Sequence, residues 1–244
     1  MMLRIARSRD GGLITHYDLY KVDAKKGMTV LDALFQIQDR MDASLSFRYS
    51  CRGAVCGSCS MLINKEPRLA CRTQIAEISN YDMKLKPFTA ISEKPVGWKP
   101  DAEILIEPLP NMPILKDLIV DMSKFYSVLK EMRLWADTED GNSPRLQSPN
   151  ERKKIERFVN CILCALCYGS CPINAERAEY VGPASLAKTW RFHEDSRSQE
   201  SERYLIASKQ PEGAPLCDLI MNCVKSCPKG VAPGSAIRKI KNLL

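Results

Sequence analysis

Residues 161–172 read Cys161-Ile162-Leu163-Cys164-Ala165-Leu166-Cys167-Tyr168-Gly169-Ser170-Cys171-Pro172. Two, two and three residues separate successive thiols, and a proline closes the run. That spacing is the one at which cysteines ligate iron-sulfur clusters. The same ruler laid on the C-terminal region, counting back ten, seven and four residues from Cys227-Pro228, meets Cys217, Ile220 and Cys223. One of the four ligands is replaced there by an aliphatic side chain.

In two-cluster bacterial ferredoxins the fourth cysteine of each run crosses to the other cluster. Crossed in this way, Cys161, Cys164 and Cys167 are joined by Cys227 and make a four-thiolate 4Fe-4S site. Cys171, Cys217 and Cys223 remain, with Ile220 where a fourth thiolate would stand, and three thiolates predict a 3Fe-4S cluster. Zinc or disulfides are the competing reading. Thiols crowded at three-residue intervals, Cys-Pro endings and the crossed repeat all stand against it.

Further upstream, SFRYSCRGAVCGSCSMLIN supplies Cys51, Cys56 and Cys59, and Cys71 follows in RLACRTQ after an expected strand-turn-strand. Four and two residues between the first three thiols, with one distant partner, is the plant-type pattern that holds a 2Fe-2S cluster. Gly53, Gly57 and Ser58 fit between the ligands because small residues let backbone N–H groups approach the sulfurs and help set the reduction potential. A Rieske centre is excluded, since the two histidines, His16 and His193, both lie outside the loop. A zinc site usually shows paired two-residue knuckles, and this loop has one such pair. The inventory decides: ligand sets of four, four and three use all eleven cysteines.

At 244 residues, 45% hydrophobic and 27% charged, the chain has room for two modest domains with buried cores. Its longest apolar stretches, such as ILKDLIVDM, are broken by charges well short of the roughly 20 residues that cross a bilayer. The start, MMLRIARSRDGG, has no apolar export region and no Arg-Arg pair, so the chain is expected to stay where it is made, a reducing compartment suited to thiolate ligands. The formal charge of +7 counts every cysteine as neutral. Three clusters, each bringing about two negative charges, would leave the holoprotein near neutral. With no basic patch interleaved with aromatics, nucleic acid is not an expected partner.

In chain order, MLRIARS and HYDLYKV, separated by Asp10-Gly11-Gly12, predict a β-hairpin. Thr29 and Asp32 make a capping box for a helix whose core face carries Val30, Leu31, Leu34, Ile37 and Met41. DAEILIE predicts a last strand running into a proline-rich linker, with the domain boundary near residue 109. Leu115, Leu118, Ile119, Met122, Tyr126 and Leu129 recur as on an amphipathic helix. Ser148, Pro149 and Glu151 start another helix that leads into Cys161. VGPASLAKTWRFHEDSR, SERYLIASK and the segment after Pro233 (Ile237, Ile240, Leu244) complete a mostly helical second half. Arg238, Lys239 and Lys241 on the last helix read as a solvated face, with contact to a membrane anchor or its lipids as the alternative.

These stretches together carry a resemblance. In FRYSCRGAVCGSC, PILKDLIVDM, CILCALCYGSCP, GPASLAKTWRFHEDSR and IMNCVKSCPKGVAPGSAI, spread over nearly the whole length, the chain resembles the iron-sulfur subunit of succinate dehydrogenase and fumarate reductase, the complex II family. The resemblance implies an α+β fold: a plant-type 2Fe-2S ferredoxin (β-grasp) domain over residues 1–108 and a helical, bacterial-ferredoxin-like domain over residues 109–244 with the 4Fe-4S and 3Fe-4S clusters. It implies an enzyme subunit that relays electrons between FAD on a flavoprotein subunit and quinone at a membrane anchor. The chain would have no dicarboxylate site of its own and would sit peripherally on the cytoplasmic face of a prokaryotic membrane. By resemblance, Pro172, Ile220 and Lys241 are the candidates for lining the quinone pocket.

The chain departs from that family at three places. Residues 83–102 are longer than the corresponding turn, Ile173 to Tyr180 read I-N-A-E-R-A-E-Y where many members place tryptophans, and Asp218 follows Cys217 where many have histidine. Two other readings compete: the electron-transfer subunit of another flavin oxidoreductase with a soluble partner, and, from a different class, a structural zinc module for protein interaction.

Overall fold

The computed structural model of the chain describes residues 1–8, 12–78, 95, 97–135, 144–199 and 201–244. It forms two compact units, Met1–Met122 with Ile162–Ser170, and Ser123–Cys161 with Cys171–Leu244. The architecture is α+β, with the named sheets in the first unit and a mostly helical second unit.

In the first unit the predicted hairpin strands are β1 (Met2–Arg7) and β2 (His16–Lys21), antiparallel and paired from Met2 with Lys21 to Arg7 with His16. Asp10 and Gly11 of the predicted turn lie outside the described residues. Helix α1 (Val30–Arg40) begins at a complete capping box between Thr29 and Asp32. It buries Val30, Leu31, Ala33, Leu34 and Ile37. Met41, expected on that face, instead follows the last turn and is 46% exposed.

Strands β3 (Ser60–Ile63) and β4 (Glu66–Leu69) form the expected strand-turn-strand between Cys59 and Cys71. Their two-residue loop, Asn64-Lys65, has positive φ at both positions, 49° and 64°, as a hairpin turn matched to sheet twist requires. Strand β5 (Glu103–Glu107) is the DAEILIE segment. It occupies the middle of a five-stranded sheet of order β2-β1-β5-β3-β4, parallel to β1 and antiparallel to β3.

All five β5 residues are buried, including two carboxylates. Each therefore needs a partner. Glu103 receives Arg4 Nε at 2.7 Å, and Glu107 receives the Tyr17 hydroxyl at 2.7 Å and Lys65 Nζ at 2.9 Å.

The segment read as the first turns of an amphipathic helix is not helical. Residues 114–120 form a small hairpin of β6 (Ile114–Lys116) and β7 (Ile119–Val120), and helix α2 runs only over Ser123–Glu131. The reason is Asp117, which turns the backbone left-handed at φ 48°. Its carboxylate accepts from Arg7 Nε and the Ser8 N–H, both at 3.1 Å, and from the Ser46 N–H at 3.0 Å. A buried charge held by three distant donors overrides local helical periodicity.

The second unit contains α2, α3 (Pro149–Val159), α5 (Pro172–Glu176), α6 (Pro183–His193), α7 (Ser201–Lys209), α8 (Asn222–Lys225) and α9 (Pro233–Lys241). The short α4 (Leu166–Gly169) belongs to the first unit. Helix α3 opens at the predicted box, with Ser148 accepting from the Glu151 N–H and Glu151 answering the Ser148 N–H. Leu186, Ala187 and Trp190 of α6 share one core with Ala236, Ile237 and Ile240 of α9 and with Phe158. Leu244 lies beyond α9 and is 62% exposed. Among the described residues no helix is long and apolar enough to cross a membrane.

Candidate functional site

The loop from Cys51 to Cys59 runs through left-handed backbone at Arg52, Ala54 and Gly57. Alternation of this kind turns successive N–H groups toward one concave side, the arrangement that binds anions and iron-sulfur centres. The sulfurs occupy that side. Cys51 Sγ accepts from the N–H groups of Gly53 (3.4 Å), Val55 (3.2 Å) and Cys56 (3.2 Å). Cys56 Sγ accepts from Cys51 (3.4 Å) and Ser58 (3.5 Å), and Cys59 Sγ from Cys71 (3.5 Å). The β3–β4 hairpin returns Cys71 to the loop.

Two neighbouring thiols are driven in opposite directions. Burial alone would push the Cys56 thiol up, but hydrogen bonds from the Ser58 side chain and from the Cys51 and Ser58 backbones outweigh it and bring it to about 6. Burial pushes Cys59 up to about 12; the Cys71 N–H pulls against it, while the Cys71 and Cys56 thiols push the same way as burial. A cationic iron core is what such a donor set needs, since bound metal charge converts coordinating thiols to thiolates.

Gly57 has a second task. At φ 72° a Cβ added there would lie 2.7 Å from both Cα and Cβ of Cys164, closer than real atoms approach. Within the first unit, the plant-type loop is thereby seated against the segment that carries Cys164 and Cys167. Asn111 Nδ2 holds the same segment by donating to the carbonyls of Tyr168 (3.0 Å) and Gly169 (3.3 Å).

The two remaining cysteine runs share a local conformation. Leu163 and Ala165 are left-handed, at φ 53° and 58°, and so are Leu219 and Met221, at 53° and 70°. Each pair is followed by a four-residue helix, α4 or α8, at the same offset from Cys161 or Cys217. Ile220 therefore stands between the same two left-handed residues as Cys164 does. Nothing in composition signals these turns, because leucine, alanine and methionine do not favour positive φ. Strained positions of this kind are held by surrounding structure and gather at functional sites.

Cys171, Cys217 and Cys223 are buried together in the second unit. Burial pushes Cys171 up to about 11, after which the Asn174 and Ile173 N–H groups pull down and the Cys217 thiol pushes up. Cys223 is pushed to about 12 by burial and then by Cys171 and Cys217. The Leu219 N–H reaches Cys217 Sγ at 3.4 Å. Cys171 and Cys223, raised by burial and by neighbouring thiols, call for a cationic cluster in the same way as Cys59. Tyr180 is fully buried beside them, its phenol held protonated by burial and then by the Cys217 and Cys171 charges.

Of the four cysteines assigned to the 4Fe-4S cluster, Cys164 and Cys167 belong to the first unit and Cys161 and Cys227 to the second. Cys227 Sγ accepts from the Val231 N–H at 3.3 Å, and both Cys161 and Cys227 pack against the second unit's core.

The three quinone candidates are all in the second unit. Pro172 opens α5 and is buried, Ile220 is half-buried, and Lys241 donates to the Pro215 carbonyl at 3.3 Å. The sequence reading missed the second role of Gly57 and gave Tyr180 none. A tyrosine nine residues after a ligand cysteine carries no motif.

A family model described as a 2Fe-2S iron-sulfur cluster binding domain matches residues 2–127, and one described as a 4Fe-4S dicluster domain matches residues 157–231. The chain is 41% identical over 224 residues to "Succinate dehydrogenase [ubiquinone] iron-sulfur subunit 3, mitochondrial" of Arabidopsis thaliana, covering 88% of this chain and 65% of that relative. The chain thus spans less than two thirds of that protein's length. Among solved structures it resembles a chain of the Mycobacterium smegmatis Sdh1 complex in the apo form, at TM-score 0.76 and 23% identity over 99% of this chain and 94% of the other. A hypothetical protein from Helicobacter pylori shares the fold more distantly, at TM-score 0.52 and 15% identity over 100% of this chain and 39% of that one. The first of the two family models covers more than half of the chain, so the chain belongs to the family of 2Fe-2S iron-sulfur cluster binding domains, with a match to a 4Fe-4S dicluster domain following it in order.

Proposed function

We propose that this chain is the electron-relay subunit of a succinate dehydrogenase or fumarate reductase, passing electrons between FAD on a flavoprotein subunit and quinone at a membrane anchor. The observation that carries the reading is the spacing of the eleven cysteines, which sets of four, four and three account for in full, with one loop seated on the next at Gly57 and Cys164. Cys51, Cys56, Cys59 and Cys71 hold the 2Fe-2S cluster, Cys161, Cys164, Cys167 and Cys227 the 4Fe-4S cluster, and Cys171, Cys217 and Cys223 the 3Fe-4S cluster.

When bound, these groups supply one-electron steps at graded potentials. The chain's own residues aim N–H donors at the sulfurs and fix the separation of the loops. The plant-type domain ends near residue 109, and the helical domain follows. Pro172, Ile220 and Lys241 face the quinone, and the subunit lies peripherally on the cytoplasmic face of a prokaryotic membrane. The dicarboxylate is handled by the flavoprotein.

The test is to purify the native complex and assay succinate:quinone and quinol:fumarate electron transfer. Activity in either assay, lost when the membrane anchor is deleted, is expected. Electron delivery to a soluble acceptor with no quinone dependence contradicts the reading and favours another flavin oxidoreductase.

A further inference from the structure

Tyr180 is among the largest side chains that the protein buries completely, yet the ligand scheme gives it nothing to do. Its backbone is pinned: the N–H donates to the Arg177 carbonyl at 3.2 Å, and its own carbonyl accepts from Asn174 Nδ2 at 3.3 Å. Asn174 follows Cys171 by three residues, so the ring is held by the element that starts at a predicted ligand. Among the described residues the hydroxyl has no partner at full hydrogen-bonding geometry, and the side chain placed to bond it is Cys217. Tyr204, also buried, shows the ordinary solution, donating to the Trp135 carbonyl at 2.8 Å.

Burying an unpaired hydroxyl costs free energy that phenylalanine, with the same ring, would avoid. The oxygen therefore has a use that the bare chain does not display. Its ring shares one apolar core with Cys171 and Cys217, and the groups whose charge falls on it are Cys217, Cys171 and Cys223.

We propose that the Tyr180 hydroxyl donates a hydrogen bond to the sulfur of Cys217 in the cluster-loaded protein and thereby raises the reduction potential of the cluster held by Cys171, Cys217 and Cys223. The proposal rests on reading that trio as a 3Fe-4S site. Reduction adds one electron to the cluster, supplied by the reductant in solution or by the neighbouring cluster, and the phenol keeps its proton. The reduced state is more negative, so a donor at the sulfur stabilises it more than the oxidised state. Tyr180 is a positioning and tuning residue; the electron does not pass through its ring.

The experiment is an EPR-monitored redox titration of the native complex carrying Tyr180→Phe. The variant should keep the oxidised 3Fe-4S signal, and its redox equilibrium should move about tenfold toward the oxidised form, a downward shift of about 59 mV for one electron. The 2Fe-2S potential should stay fixed. An intact signal with an unchanged potential overturns the proposal. Absence of any 3Fe-4S signal from the unmodified complex overturns the cluster reading instead, and this proposal with it. Should Tyr180→Phe fail to assemble, fluorotyrosine in the unmodified chain keeps the ring and strengthens the donor; the 3Fe-4S potential should then rise, and a fixed potential overturns the proposal.

Discussion

Gly57 separates two demands that glycine can meet. Its φ of 72° disfavours any side chain, and its missing Cβ leaves room for Cys164. Gly27 has φ 79° with nothing near its absent Cβ, so it isolates the first demand. Gly27→Ala should cost about 1 kcal/mol of left-handed strain. Gly57→Ala should cost at least about 2 kcal/mol more, from overpacking against backbone, and should weaken the magnetic interaction between the reduced 2Fe-2S and 4Fe-4S clusters. Thermal unfolding and EPR of the two variants measure this, and equal effects would reduce Gly57 to a turn residue. Ile220 carries the second prediction at this scale. Flanked as Cys164 is, a thiol at 220 would face the same way, so Ile220→Cys should convert 3Fe-4S to 4Fe-4S and lower its potential by at least about 59 mV, tenfold in equilibrium. A retained oxidised 3Fe-4S signal at an unchanged potential would sink the vacancy argument. The spacing alone suggests the vacancy. It does not suggest the left-handed pair that frames it, because no residue type there announces positive φ.

Elements with local causes were readable. Thr29 with Asp32 and Ser148 with Glu151 cap their helices as their spacing implied, and alternation located β1, β2 and β5. The hairpin at 114–120 was not readable, since Leu115, Leu118, Ile119 and Met122 keep helical period while the deciding contacts come from Arg7, Ser8 and Ser46. Asp117→Asn keeps the shape and tolerates positive φ but leaves Arg7 short of a buried partner. It should cost about 3 kcal/mol in thermal unfolding, and a loss under 1 kcal/mol would mean the carboxylate does not set the hairpin. Arg7 also pairs with Asp18 and Asp42. Hydrogen bonds from Ser44, then Arg7 and Tyr20, hold the Asp42 carboxyl below the ordinary carboxylate range. A depressed folded-state pKa means that its stabilisation is complete above the unfolded value of about 4 and is lost as pH falls through the folded one. Wild type should therefore exceed Asp42→Asn in stability at neutral pH, and the gap should close as pH drops below about 4. A gap independent of pH would remove the charge from the explanation.

At the scale of the whole molecule, a chain with formal charge +7 and eleven thiols is completed by anionic clusters. The sheet-bearing unit and the helical unit were both legible as classes, because cysteine spacing and hydrophobic period name them independently. The partition of the chain was harder to read: residues 162–170 join the first unit, through contacts such as Gly57 with Cys164 and Asn111 with Tyr168 that lie far apart in sequence. The central claim is that the eleven cysteines hold three different clusters. Its most direct test is iron and acid-labile sulfide analysis with Mössbauer and EPR spectroscopy on the chain purified in its native complex. The account predicts about nine irons per chain, distributed over one 2Fe-2S, one 4Fe-4S and one 3Fe-4S spectrum; zinc without sulfide, or two four-iron spectra and no three-iron one, would contradict it.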